Sequence, residues 1–296
     1  MIATRMKQNR VQISTLLLPG VILFLLFTVY PILKLFYMSF FSGELWESAG
    51  ASFCGMQNYY KVLKDETFQI SLQNTLVYTF LTVPGQMAIG LFVAIFVNAI
   101  PRFSVTFRVL YYMPVITSWV IVSLVFRYLF NTEGLLSYLF TNILHLAAEN
   151  IAWLDSRPGA MAVMIILGIW KGIGWNMVVF LAALQSIPRE QYESAEMDGA
   201  NSRQKLLYIT LPGIRSTILF ALIILTIGVF NTFTPVKMIT GGKPMHQTEM
   251  VLTWMYYKAF GAGETGYASA LSFVIALILI ALAVAQVMLM KRNDEG

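Results

Sequence analysis

Six apolar stretches punctuate this chain, running approximately over 13–38, 70–99, 107–130, 159–184, 213–234 and 267–290. A helix needs about 20 apolar residues to cross the hydrocarbon core of a bilayer. Each stretch meets that length, so the chain reads as an all-α integral membrane protein of six transmembrane helices. Composition agrees: 57% of the residues are hydrophobic and 12% are charged, with a mean hydropathy of +0.68. A soluble domain carries about twice that charged fraction. Asn74, Gln86 and Asn176 interrupt the apolar runs and are expected to point into the helix bundle, away from lipid.

The first stretch follows the basic residues Arg5, Lys7 and Arg10, as a secretory signal would. It exceeds the length of a signal core, and Pro31, Lys34 and aromatic residues follow it in place of a small-residue cleavage site. It is therefore expected to stay as the first transmembrane helix. The lone cysteine, Cys54, excludes an intrachain disulfide. The net charge of +5 does not call for nucleic acid, because the basic residues collect on one side of the spans. That side holds the N-terminal tail, Arg102, Arg108, Arg189, Arg203, Lys205, Arg215, Lys291 and Arg292. The other holds Lys61, Lys64, Arg157, Lys237, Lys243 and Lys258, mixed with Glu44, Glu47, Asp65, Glu149 and Asp155. The bias predicts cytoplasmic N- and C-termini.

The connections differ in length. Residues 100–106 form a short link, whereas 185–212 form a long link on the predicted cytoplasmic side. The long link has the composition of an amphipathic helix, with Glu190, Glu193, Glu196 and Asp198 interleaved with Tyr192, Ala195 and Met197. Pro188 stands where a helix can begin, followed by acids in the first turns, and Gly199 where it can end or bend. No catalytic constellation accompanies it. His145 and His246 lie far apart, and no metal-ligand pattern occurs. Gly241-Gly242-Lys243-Pro244 lacks the spacing and the Ser/Thr of a nucleotide loop and reads as a turn. The spans carry almost no acids of the kind that ion-coupled carriers use.

Within the long link, Glu193-Ser194-Ala195-Glu196-Met197-Asp198-Gly199-Ala200 is followed by Ile209-Thr210-Leu211-Pro212. This resembles the EAA loop of the permease subunits of ABC importers, which reads Glu-Ala-Ala, a spacer, Asp-Gly-Ala and then Leu-Pro. Ser194 departs from the usual alanine but remains small. Leu184-Gln185-Ser186-Ile187-Pro188, Trp170-Lys171-Gly172, Phe230-Asn231-Thr232-Phe233, Leu18-Pro19-Gly20, Tyr30-Pro31, Asn58-Tyr59, Asn74-Thr75-Leu76 and Gly266-Tyr267-Ala268-Ser269-Ala270 extend the likeness to the maltose- and glycerol-phosphate-type carbohydrate permeases.

The resemblance implies a type I ABC importer permease fold: a single permease domain over 1–296 with a cytoplasmic coupling loop at 185–212. It implies a bacterial or archaeal plasma membrane, a second, homologous but non-identical permease, two copies of an ABC ATPase that hold the ATP and Mg, and an extracytoplasmic solute-binding protein. The cargo would be a sugar or sugar-like solute. Neither a cofactor, a metal nor a catalytic residue is expected in this chain. Glu193, Ser194, Ala195, Asp198, Gly199, Ala200, Leu211 and Pro212 would couple to the ATPase. Solute contacts would fall at Lys171, Gly172, Trp175 and Asn176 in the fourth span, and at Leu225, Gly228, Val229, Asn231 and Thr232 in the fifth. Packing competes for the same residues: Gly168 and Gly172 form a GxxxG pair, Asn231 suits an interhelical hydrogen bond, and Lys171 suits an acid or backbone carbonyls better than an anionic solute. The segments 240–250 and 42–64 are candidates to meet the binding protein.

Overall fold

The structure, a computed structural model, describes residues 16–43, 52–100 and 103–292. Arg5, Lys7, Arg10, Arg102, Glu44, Glu47 and the first residues of the predicted opening span lie outside the described residues. Among the described residues, five helices are long and apolar enough to cross a membrane, and six spans result when one bent pair counts as a single span.

The chain divides into two compact units. The smaller comprises residues up to Asp65 together with Met255–Ala276. It contains α1 (Leu16–Met38), a two-stranded hairpin of β1 (Phe41–Ser42) and β2 (Ser52–Phe53), α2 (Gln57–Lys64) and the first turns of α11 (Thr265–Arg292). The side chains of α1 are almost all exposed, as a helix facing lipid requires. Buried Asn58 organises the unit by donating to the carbonyls of Ser39 (2.9 Å) and Phe41 (2.8 Å). Gly266 lies against the Phe41 carbonyl and the Asn58 amide, where a side chain has no room. The Tyr267 hydroxyl donates to Asp65 at 2.5 Å.

The larger unit is built on α3 (Glu66–Ala99) and α6 (Arg157–Gln185), the most extensive helix pair in the chain. Small residues set their separation. A Cβ on Gly90 would meet Asn176, one on Gly168 would meet the Tyr78 hydroxyl, and one on Gly172 would collide with the Gln86 amide. Close approach of this kind replaces the hydrophobic drive that is missing between helices in lipid. The three polar interruptions Asn74, Gln86 and Asn176 are all buried. Around this pair lie α4 (Ser104–Ile116), α5 (Trp119–Leu129), α9 (Arg215–Phe230) and α10 (Thr234–Ile239). The end of α11 is tied in by Gln286, which donates to Thr226 at 2.7 Å.

The third apolar stretch is not one straight helix. α4 and α5 meet at a 90° bend, with Thr117 and Ser118 in extended backbone between them. No glycine or proline stands at the break itself, although Pro114 lies one turn before it. The fifth stretch is also interrupted, at Asn231–Phe233, before α10 begins with Pro235 in its first turn.

Candidate functional site

The link between α6 and α9 forms a compact exposed arm. Pro188 caps α7 (Arg189–Met197), supplying a fixed φ without needing a hydrogen-bond partner for an N–H. The helix stops at Gly199, whose φ of 78° only glycine adopts without strain. Gly199 N–H donates to Glu196 O (3.0 Å) and Ala200 N–H to Ala195 O (2.8 Å), the two bonds of a Schellman motif. Asn201 then starts α8 (Ser202–Lys205) with a reciprocal capping box: its side chain accepts from Gln204 N–H (2.9 Å), and its own N–H donates to Gln204 Oε1 (2.8 Å).

The arm is fastened at its base. The Tyr192 and Thr210 hydroxyls pair at 3.0 Å, and Thr210 also donates to Lys205 O at 3.2 Å. Lys205 reaches Glu196 at 2.7 Å, an exposed pair of little energetic weight. Tyr192, Ile209 and Ile187 pack into a core cluster with Val93, Ala94, Val97 and Leu184. The outer face stays open. Glu193, Ser194, Asp198 and Gly199 are exposed, Met197 is 89% exposed, and Ala195 and Ala200 are half-buried. Glu190, Gln191, Ser194, Ala195, Asp198 and Ile209 line an open cleft of about 480 Å³. Leu211 and Pro212 lead into buried Ile214 and the start of α9.

The candidate solute residues separate into two groups. Trp175, Leu225 and Val229 come together at the margin of one apolar cluster, and Thr232, beside Tyr78, donates to Val229 O at 2.6 Å. Gly228 is exposed on α9, on a stripe with Phe220, Ile224 and Ile227, and Asn231 is exposed just past the end of that helix. A Cβ at Gly228 would meet no atom of this chain. The other three residues are committed to packing. Gly172 is filled by Gln86, and Asn176 faces Gly90 while its Nδ2 donates to Gly172 O at 2.9 Å. Gly172→Val is therefore expected to force α3 from α6, at an overpacking cost of about 1–3 kcal/mol. A lower melting midpoint of the solubilised chain checks this; an unchanged midpoint would contradict the packing role.

Lys171 is 4% exposed and lies at the bend of the third span. Its amine donates to the carbonyls of Pro114 (2.7 Å), Val115 (3.3 Å) and Thr117 (2.7 Å), with the Trp119 ring 4.8 Å away. The Pro114 and Val115 carbonyls are released as α4 ends and the Thr117 carbonyl lies just beyond it; Pro114 O also accepts from the Thr117 hydroxyl at 2.6 Å, and a bilayer offers the others no water. A cation at a helix C-terminus also meets the negative end of the macrodipole. An apolar groove of about 280 Å³ lies nearby, lined by Phe107, Leu110, Tyr111, Pro114, Trp170 and Ile173, and includes none of the candidate solute residues.

One cluster carried only a partial sequence signal. Asn74 joins α3 to α6 and to the 247–249 backbone through three hydrogen bonds. The sequence marked it as a polar residue facing inward, but its partners lie 83 to 175 positions away. Among the described residues, no group of three or more His, Cys, Asp or Glu is placed to hold a metal ion.

Residues 86–294 match the family model of the binding-protein-dependent transport system inner membrane component. The chain is 31% identical over 291 residues to the probable ABC transporter permease protein YurN of Bacillus subtilis, covering 97% of this chain and 99% of that protein. It is 33% identical over 267 residues to the arabinooligosaccharides transport system permease protein AraP of Bacillus subtilis, covering 88% of this chain and 83% of the relative. The fold matches a crystal structure of a bacterial ABC transporter involved in import of the acidic polysaccharide alginate, with a TM-score of 0.85, 21% identity and 99% of each chain covered. With its apolar spans, its exposed connecting arm and these matches over most of its length, the chain belongs to the family of inner membrane components of binding-protein-dependent transport systems, as a permease subunit.

Proposed function

We propose that this permease carries a sugar or sugar-like solute inward, paired with a second, homologous permease and driven by two copies of a separate ABC ATPase that bind ATP and Mg. Both termini face the cytoplasm in this reading, which puts the arm at 185–212 on the same side as the ATPase. The observation that carries the proposal is that arm: a prefolded helix ended at Gly199, fastened to the core through Tyr192, with its acidic and small-residue face left open. Glu193, Ser194, Ala195, Asp198, Gly199 and Ala200 form the docking face, and Leu211-Pro212 sets the entry of α9. ATP-driven closure of the ATPase pair displaces the arm, and the anchored core follows. Only contacts that differ between the open and closed ATPase pair can shift the permease between outward and inward states.

Solute selection is assigned to Trp175, Leu225, Gly228, Val229, Asn231 and Thr232. Trp175 offers a ring face for a sugar, Asn231 and Thr232 offer hydrogen bonds to hydroxyls, and Gly228 leaves space. Gly228 supports this reading because nothing in the chain itself demands a glycine there. The relatives support the cargo class: one is an arabinooligosaccharides permease, and another is the sulfoquinovosyl glycerol permease SmoG of Agrobacterium fabrum. A related alginate transporter has been crystallised with its pentasaccharide-bound periplasmic protein, in keeping with delivery by a binding protein.

The test is ATP hydrolysis by the assembled complex in nanodiscs. A binding protein loaded with an oligosaccharide is expected to raise the rate, and an amino-acid-loaded one is not. Stimulation by the latter alone would overturn the cargo class. Trp175→Ala is expected to lower uptake about tenfold, equivalent to about 1.4 kcal/mol, with complex yield unchanged. A fall in yield with uptake per complex intact would make Trp175 a packing residue.

A further inference from the structure

The segment 240–251 is more rigidly built than a surface loop needs to be. The Thr248 hydroxyl donates to Lys243 O and pairs with the Thr240 hydroxyl, each at 2.8 Å, and Gly242 N–H donates to Thr240 Oγ1 at 3.2 Å. The buried Glu249 carboxylate lies against Gly242, where a side chain would strike it, and 3.1 Å from His246 Nδ1. Met245 and His246 both hold positive φ, 44° and 60°, and Met245 is 84% exposed at the tip. Such backbone persists only where its surroundings over-determine it.

What holds the segment from below is Asn74, 1% exposed near the start of α3. Its Nδ2 donates to Gln247 O and Glu249 O, each at 2.8 Å, and its Oδ1 accepts from Arg157 Nε at 2.8 Å. Arg157 opens α6 and also reaches Gln73 at 3.2 Å. One turn of helix face is thus bonded to the segment and to the neighbouring helix together. Thr75 adds a bond by accepting from Val251 N–H at 3.0 Å.

The other end of α3 packs on the arm that carries α7. Val93, Ala94 and Val97 share a cluster with Ile187, Tyr192 and Ile209. From Asn74 to Val97 is about 35 Å at about 1.5 Å per residue. A single helix therefore touches the 240–251 segment at one end and the arm at the other.

We infer that Asn74 is a positioning residue that makes α3, one continuous helix, a link between the external segment 240–251 and the ATPase-facing arm, so that occupancy of the external segment is felt at the arm. The assignment of the two sides rests on the function proposed above. The three bonds use every donor and one acceptor of the amide, which suits transmission of displacement better than a single contact does.

Asn74→Asp opens the clamp from the α3 side: it keeps the acceptor for Arg157, removes both donations to the segment and sets a carboxylate oxygen against the carbonyls of Gln247 and Glu249. In the full complex in nanodiscs, amide exchange over 247–251 is expected to accelerate about tenfold, the scale of one or two lost hydrogen bonds. Basal ATP hydrolysis and complex yield are expected to stay at wild-type values. Stimulation by the binding protein, loaded with malto- or arabino-oligosaccharide, is expected to fall about tenfold. Thr75→Val, which removes the acceptor for Val251, is expected to change both readouts in the same direction and less.

Unchanged exchange in Asn74→Asp overturns the clamp. Accelerated exchange with full stimulation overturns the link. Loss of assembly in both variants makes the residues structural and overturns the inference as well. A wild-type complex that no loaded sugar stimulates fails the proposed cargo, while the exchange measurement still decides the clamp.

Discussion

Gly199→Val is expected to reduce uptake to about one hundredth of the wild-type rate while leaving the permease inserted and folded. Two effects combine. The αL backbone at φ 78° costs a β-branched residue more than the roughly 1–2 kcal/mol that left-handed geometry costs an ordinary one. The helix end then refolds and the Schellman bonds to Glu196 and Ala195 are lost. A change of docking geometry worth about 3 kcal/mol corresponds to roughly a hundredfold. The fold itself is little exposed to this change, because a Cβ at Gly199 meets no atom of the chain. Uptake in vesicles, normalised to membrane-inserted protein, reads the effect, and binding-protein-stimulated ATP hydrolysis is expected to fall with it. Gly199→Asn is the control: asparagine tolerates αL, so it should retain most uptake. Full uptake by the valine variant would remove the arm from the coupling path.

The spans were legible because lipid imposes a length and an apolar composition that no tertiary context overrides. The arm was legible for a local reason: Pro188 and Gly199 act on their own backbone, so their effect does not depend on distant partners. The bend between α4 and α5 was not legible, because the group that makes it tolerable is Lys171, 54 residues from Thr117 in the chain. The same blindness applies to the candidate solute residues. Helical spacing groups Lys171 with Trp175 and Gly172 with Asn176, but spacing does not say which neighbour each face meets. Gln86 and Gly90 of α3 claim Gly172 and Asn176, and the broken end of α4 claims Lys171. Asn74 shows a middle case. Its inward direction followed from polarity in an apolar run, whereas its partners around 247–249 depend on how the helices assemble.

Lys171→Met is expected to destabilise the permease more than any other single substitution considered above, and the reason is backbone and not solute. Methionine keeps the volume of the lysine stem but removes the ammonium, leaving the carbonyls of Val115 and Thr117 at a 90° bend without that donor, while Pro114 O keeps only the Thr117 hydroxyl at 2.6 Å. Each carbonyl left unpaired away from water costs about 1–3 kcal/mol, and the helix-end charge interaction adds up to about 2 kcal/mol. A net loss near 3 kcal/mol lowers the melting midpoint of a chain this size by about 6–12 °C. Lys171→Arg keeps a cation and several donors but swaps a compact ammonium for a planar fork, so it should recover part of that loss. The competing role, contact with an anionic solute, predicts the opposite division: a wild-type midpoint for Lys171→Met with uptake abolished. Melting of the detergent-solubilised chain therefore decides between them without knowledge of the solute, since the bend needs its donor whether or not cargo is bound.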